Sequence, residues 1–197
     1  MNTPNKLTIA RIIATPVFVA AMLIDFPYHY LVATILFIAA SLTDMIDGKM
    51  ARKYNLITDF GKFLDPLADK MLTTAAYLGF ICMYADNYTY CWQITVITFI
   101  VLFREFMVSS IRLVTVSTGG KVVAANMWGK CKTVSQMAGI ILSLAVYGVN
   151  EIVTIPANIF VIADAVIITL FWLSAILCVI SGVIYIWGGR EYIKNAK

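Results

Sequence analysis

Charge is what this 197-residue chain has least of: Asp, Glu, Lys and Arg together make up 13% of it, and there is one histidine. Soluble domains carry about twice that share of charge, so a surface wetted on all sides is excluded. The lone histidine, His29, lies in an aromatic run, Tyr28-His29-Tyr30, which suits anchoring at a membrane interface better than acid–base catalysis. Cys82, Cys91, Cys131 and Cys178 have no C-x-x-C spacing, which argues against a zinc site or a redox pair. They read as small apolar residues, although Cys82 and Cys91 flank one loop and sequence leaves their pairing open. Internal repeats, low-complexity tracts and a glycine-rich nucleotide loop of soluble type are all missing.

What replaces the missing charge is apolar bulk, 61% of the residues with a mean hydropathy of +0.85. An integral membrane protein follows, since a spanning helix needs roughly 20 apolar residues. Six candidate spans are predicted, at about Leu7–Ile24, His29–Met45, Leu67–Tyr84, Trp92–Val114, Val134–Val149 and Ile159–Trp187. Little is left over, so residues 1–197 are expected to form a single all-α, membrane-embedded domain. Every Lys and Arg falls near the N-terminus, between Asp44 and Lys70, between Arg104 and Lys132, or in the C-terminal tail. The connections Asp25–Tyr30, Asp86–Tyr90 and Asn150–Pro156 carry none. The positive-inside rule therefore puts both termini and the Asp44–Lys70 segment in the cytoplasm, which an even number of crossings requires. Thr3 to Arg11 could start as a short interfacial helix; Pro4 and Pro16 interrupt the apolar run, and the segment is expected to be retained rather than cleaved.

Four carboxylates stand out against this background. Asp44 and Asp47 are spaced i, i+3 at the end of the second span, and Asp65 and Asp69 are spaced i, i+4 at the start of the third, so each pair shares one helix face at the cytoplasmic boundary. Four clustered anions repel one another, whereas two divalent cations cancel them. All-oxygen ligands favour Mg²⁺, with Mn²⁺ the near alternative. Gly48, Ala51 and Gly61 let a ligand or a neighbouring backbone approach, and Arg52 offers a fork for phosphate oxygens, which together describe a pyrophosphate site. A single boundary Asp is usually a cap or a solvated helix end, and Asp59 is read that way; four at this spacing are not. Lys49, Lys53, Lys62 and Lys70 read as positive anchors, while Asp164 is an ionisable residue with no partner nameable from sequence.

The string D-x2-D-G-x2-A-R-x8-G-x3-D-x3-D, running from Asp44 to Asp69, resembles without departure the signature of the CDP-alcohol phosphotransferases. The resemblance implies that family's helical membrane fold and transfer of a phosphatidyl or similar group from a CDP-linked donor to an alcohol, with release of CMP. It further implies two metal ions held by Asp44, Asp47, Asp65 and Asp69, with Asp65 and Asp69 the catalytic carboxylates and Asp69 the general base. Arg52 and the backbone at Gly48, Ala51 and Gly61 would hold the nucleotide. Homodimerisation is also a family property, though no zipper or small-residue stripe points to it here.

The acceptor is read from the fourth and fifth spans. If the fourth enters the boundary near Arg112, Arg104 lies eight residues, about 12 Å, deeper, where a charge needs a polar cavity or a partner. One reading is an ion pair with Glu105; the other is an anion site in which Arg104, Arg112 and Lys132 take the phosphate of a phosphorylated alcohol. Pro4-Asn5-Lys6-Leu7-Thr8 with Arg11, the run Asp59–Lys70, and Arg104-Glu105 with Arg112 resemble the phosphatidylglycerophosphate synthase branch of bacterial membranes. That likeness implies CDP-diacylglycerol as donor, held partly by Asn5, Thr8 and Arg11, and sn-glycerol 3-phosphate as acceptor. Inositol phosphate, inositol or serine stay open as acceptors. Two rivals come from other classes. A small cation transporter would spread its acids across the bilayer, whereas these gather at one face, and a lipid-binding scaffold has no use for a full acid set.

Overall fold

The structure, a computed structural model, describes residues 3–53, 59–117 and 127–194; the side chains at 3–4, 45, 47–53, 59–63, 65–66, 69, 113–114, 116–117 and 189–194 are outside the description. Six helices account for nearly all of it: α1 (Thr3–Leu23), α2 (His29–Lys53), α3 (Asp59–Met83), α4 (Tyr88–Ser117), α5 (Met127–Ile152) and α6 (Ala157–Lys194). They break where the apolar runs break. Asp25, Pro27 and Tyr28 separate α1 from α2, with Tyr28 at a positive φ of 64°, and Pro156 precedes α6.

Neighbouring helices close a ring. α1 lies against α2 and α3, α2 against α5, α3 against α4, and both α4 and α5 against α6, with α2 and α3 touching lightly. Its interior is aromatic and aliphatic: Phe18 and Phe37 meet at 5.6 Å between ring centroids, and Phe171 sits 5.4 Å from both Tyr77 and Phe80. At Gly148 an added Cβ would come 2.9 Å from the Leu31 nitrogen, so α5 approaches the backbone of α2 more closely than any side chain permits.

The sequence prediction of six membrane crossings meets six helices, and among the described residues four stretches are long and apolar enough to span by themselves: Asn5–Leu23, Tyr88–Arg112, Met127–Ile152 and Ala157–Gly188. The described apolar parts of α2 and α3, His29–Asp44 and Lys70–Met83, end where the described side chains end, inside helices that are each 25 residues long. One correction concerns the N-terminus. No separate interfacial helix stands there: α1 runs unbroken from Thr3, with Pro4 in its first turn and Pro16 inside it. Proline in a first turn removes an amide that has no partner anyway. Next to Pro16, the Thr15 hydroxyl donates to the Arg11 carbonyl at 3.0 Å, so this buried hydroxyl is satisfied within its own helix.

The end of the ring opposite the carboxylates carries its own polar network. Asp164, without a nameable partner in the sequence, accepts from the Tyr84 hydroxyl at 3.0 Å and the Tyr147 hydroxyl at 3.2 Å. His29 is not a lone interfacial ring either, since its Nε2 lies 3.1 Å from Glu151 Oε1, which also accepts from the Tyr30 amide at 3.3 Å. All four cysteines are free thiols; Cys91 points its sulfur at the Ile81 carbonyl, so it does not pair with Cys82.

Candidate active site

Helix α2 carries Asp44 and Asp47 on consecutive turns near its end, and α3 carries Asp65 and Asp69 on consecutive turns near its start. Because α2 and α3 run in opposite directions through the ring, both pairs come to the same end of it. The α2 backbone stays helical through Lys53, which keeps Gly48, Ala51 and Arg52 on the last turns beyond the first pair, and Gly61 lies in the first turn of α3. The side chains of Asp47, Arg52, Asp65 and Asp69 lie outside the described residues, so the convergence expected of the four carboxylates is described at the level of helices only.

Asp44 is described in full and shows how α1 joins the site. Asn5, Thr8 and Arg11 recur at intervals of three along α1 and are 6%, 0% and 1% exposed, all turned into the ring. Arg11 Nη1 donates to Asp44 Oδ1 at 2.6 Å. The guanidinium side is wholly buried, whereas the Asp44 side chain remains 41% exposed and so stays open to a ligand. A charge-assisted bond to the carboxylate is what makes burial of this guanidinium tolerable. In α3, Ala68 is fully buried between Asp65 and Asp69, so the helix seats itself through a methyl group while the carboxylates hold neighbouring positions.

Beside this segment lies a basic pocket of about 450 Å³ between α4, α5 and α6, lined by Arg104, Val108, Arg112, Gly129, Lys130, Thr133, Val134 and Tyr185. Tyr185 is 6% exposed and its hydroxyl has no partner among the described residues, although it lines a polar cavity. Three cations around one concavity, with a hydroxyl to spare, fit a phosphate group on a small polar molecule. The carboxylate helix is tied to the pocket's neighbour α4, because Lys70, next to Asp69, donates to Ser109 of α4, whose hydroxyl in turn donates to the Glu105 carbonyl at 2.7 Å; none of these three residues lines the pocket itself.

Of the residues expected to take an anion, Arg104 and Arg112 line this pocket and Lys132 does not. Lys132 turns to Glu105 at 2.6 Å and borders a separate cavity of about 20 Å³ with Lys70 and Gln136. Lys130, which the sequence sets beside Lys132 as one of two basic residues at the start of the fifth span, takes the place in the pocket expected of Lys132. Tyr185 takes one that nothing in the sequence marks.

Among the described side chains no group of three carboxylates, imidazoles or thiolates is placed to hold a metal ion, three of the four motif carboxylates being outside that set. The donor chemistry nevertheless fits a hard divalent cation: the motif of α2 and α3 supplies carboxylate oxygens, and the one described, Asp44, is partly open.

Comparison with known proteins adds the deciding observation. A sequence profile described as CDP-alcohol phosphatidyltransferase matches residues 1–187. The chain belongs to the CDP-alcohol phosphatidyltransferase family. Curated relatives agree: it is 40% identical over 208 residues to a protein of Bacillus subtilis named CDP-diacylglycerol–glycerol-3-phosphate 3-phosphatidyltransferase, covering 100% of this chain and 99% of that one. A protein of Rickettsia bellii with the same name is 37% identical, with 97% of each chain covered. A chloroplastic and mitochondrial protein of Arabidopsis thaliana, named as form 1 of that enzyme, is 38% identical over 152 residues, 74% of this chain and 51% of its own. Phosphatidyltransferases of this family depend on divalent cations, in keeping with the all-carboxylate donor set.

Proposed function

We propose that this membrane phosphatidyltransferase moves the phosphatidyl group of CDP-diacylglycerol onto sn-glycerol 3-phosphate, giving phosphatidylglycerol phosphate and CMP. The relatives that share its whole length carry that name, and the observation on this chain that carries the reading is the Arg104–Arg112–Lys130 pocket beside the carboxylate helices. An acceptor with a phosphate has a reason to sit there; serine and inositol, lacking one, leave three cations without a purpose. Inositol phosphate would satisfy the same charges, so the acceptor assay below includes it.

On this reading Asn5, Thr8, Arg11, Arg52 and the backbone at Gly48, Ala51 and Gly61 hold the CDP end of the donor while its acyl chains stay in the bilayer. Arg11 keeps Asp44 in place. Asp44, Asp47, Asp65 and Asp69 hold two divalent cations, Mg²⁺ or Mn²⁺, which when bound neutralise the pyrophosphate. Asp69 takes the proton from the acceptor hydroxyl as that oxygen bonds to phosphorus, and the bond to the CMP oxygen breaks. The clustering of Lys and Arg around this end supports a cytoplasmic orientation for it and for both termini in a bacterial plasma membrane. The test is CMP release by the purified protein in detergent from labelled CDP-diacylglycerol, offered glycerol 3-phosphate, inositol phosphate, inositol and serine in turn. Release with glycerol 3-phosphate alone, lost in Asp69→Asn without a change in unfolding temperature, is expected; absence of CMP with every acceptor rejects the assignment.

A further inference from the structure

Glu105 has no part in the chemistry above, yet it organises the wall of the basic pocket. Its Oε1 accepts from Arg104 Nη1 at 3.0 Å and from Lys132 Nζ at 2.6 Å, so a single oxygen holds cations from two helices. All three side chains are withdrawn from solvent, with 14%, 17% and 8% exposure for Arg104, Glu105 and Lys132. Adjacent residues on a helix point about 100° apart, so the Arg104–Glu105 contact is no automatic result of their order; the Arg104 chain must bend round to make it. Two features of α6 permit that. Arg104 Nη2 donates to Ser181 at 3.1 Å, and Gly182 leaves the stem its path, since a Cβ there would lie 3.1 Å from Arg104 Cγ.

From this we infer that Glu105 is a positioning residue for the acceptor phosphate: it fixes the Arg104 guanidinium at the pocket wall and holds Lys132 outside, leaving Arg104, Arg112 and Lys130 to read the anion. The inference rests on the pocket being the acceptor site. One carboxylate between two cations leaves that trio with a net single positive charge, and Arg112 and Lys130 raise the surroundings to three. That suits a phosphate monoester, whose charge near neutral pH lies between about −1.5 and −2. A guanidinium held on two sides also loses little freedom when the anion arrives, which is how a positioned fork gains affinity.

Glu105→Gln keeps the shape and an acceptor oxygen but removes the charge. The expected result is a rise of about tenfold in the KM for glycerol 3-phosphate, with the KM for CDP-diacylglycerol within about twofold of wild type. The inhibition constant of inorganic phosphate, competing with the acceptor, rises in parallel. Because Lys132 is left buried without its counter-charge, Glu105→Gln combined with Lys132→Met serves as the folding control and shows the same raised acceptor KM at near wild-type unfolding temperature. An unchanged acceptor KM in Glu105→Gln, while Arg112→Ala raises it, overturns this inference and leaves the pocket assignment standing. Wild-type insensitivity to phosphate together with an unaltered Arg112→Ala enzyme overturns both. Recovery of the wild-type acceptor KM in the double variant shows that Glu105 merely neutralises Lys132, and failure of both variants to fold shows a purely structural ion pair; either result ends the positioning role.

Discussion

Asp164→Leu isolates the polar network at the far end of the ring from the carboxylates. Asp164 is 6% exposed and Tyr84 3%, and the hydroxyls of Tyr84 and Tyr147 both donate to the same carboxylate. Leucine fills a similar volume but leaves two hydroxyls without an acceptor, which costs about 1–3 kcal/mol for each buried group in water-soluble proteins. Membrane interiors lower that figure, since hydrogen bonds between their helices average about 0.6 kcal/mol. A total of about 1–6 kcal/mol brackets the two scales. With roughly 2–4 °C lost per kcal/mol for a chain of this size, unfolding in detergent should move down by about 2–24 °C. Removing the donors as well, in Asp164→Leu with Tyr84→Phe and Tyr147→Phe, should restore most of the loss, because a polar pair replaced on both sides by apolar groups is nearly neutral. Thermal unfolding followed by tryptophan fluorescence, with CMP release measured well below the transition, reads both effects. A triple variant no more stable than Asp164→Leu would refute the hydrogen-bond account. A loss of specific activity at unchanged stability would show that the network acts on the reaction itself.

Arg112→Ala should raise the KM for glycerol 3-phosphate about tenfold and leave the donor KM alone, the size expected when one charge-assisted contact at a partly open site is lost; steady-state kinetics with each substrate varied decides it. Chelation by EDTA should stop CMP release and added Mg²⁺ or Mn²⁺ should restore it, whereas activity that survives exhaustive chelation removes the cation role given to the four aspartates. Gly148→Ala should lower the unfolding temperature, because its Cβ would meet the Leu31 nitrogen at 2.9 Å and backbone cannot step aside as a side chain does; about 1–3 kcal/mol is the usual cost of such overpacking. Stability equal to wild type would show that α2 and α5 can separate freely.

Much of this was legible in the residues because hydrophobic length is additive along a chain. Six helices and their order follow from runs such as Ile159–Trp187, and the motif from Asp44 to Asp69 marks the family with no three-dimensional knowledge. Counting apolar residues could not tell that the segment from Thr3 to Arg11 forms one helix with the first span, since a proline in a first turn costs a helix nothing and the buried faces of Asn5, Thr8 and Arg11 are set by neighbouring helices. Nor could it choose between Lys130 and Lys132. Two residues apart on a helix lie about 200° apart, so one faces the pocket and the other faces Glu105, and which does so depends on how α5 is rotated against α4. Asp164 illustrates the same limit, as its partner Tyr84 is 80 residues away in the chain.

The unbuffered meeting of Gly148 with the Leu31 backbone fastens α2 to α5 as a rivet fastens two staves. Side chains can rearrange around a shifting helix, whereas main chain seated on main chain leaves no slack. Any tilting of α2 within the ring therefore has to turn about this point.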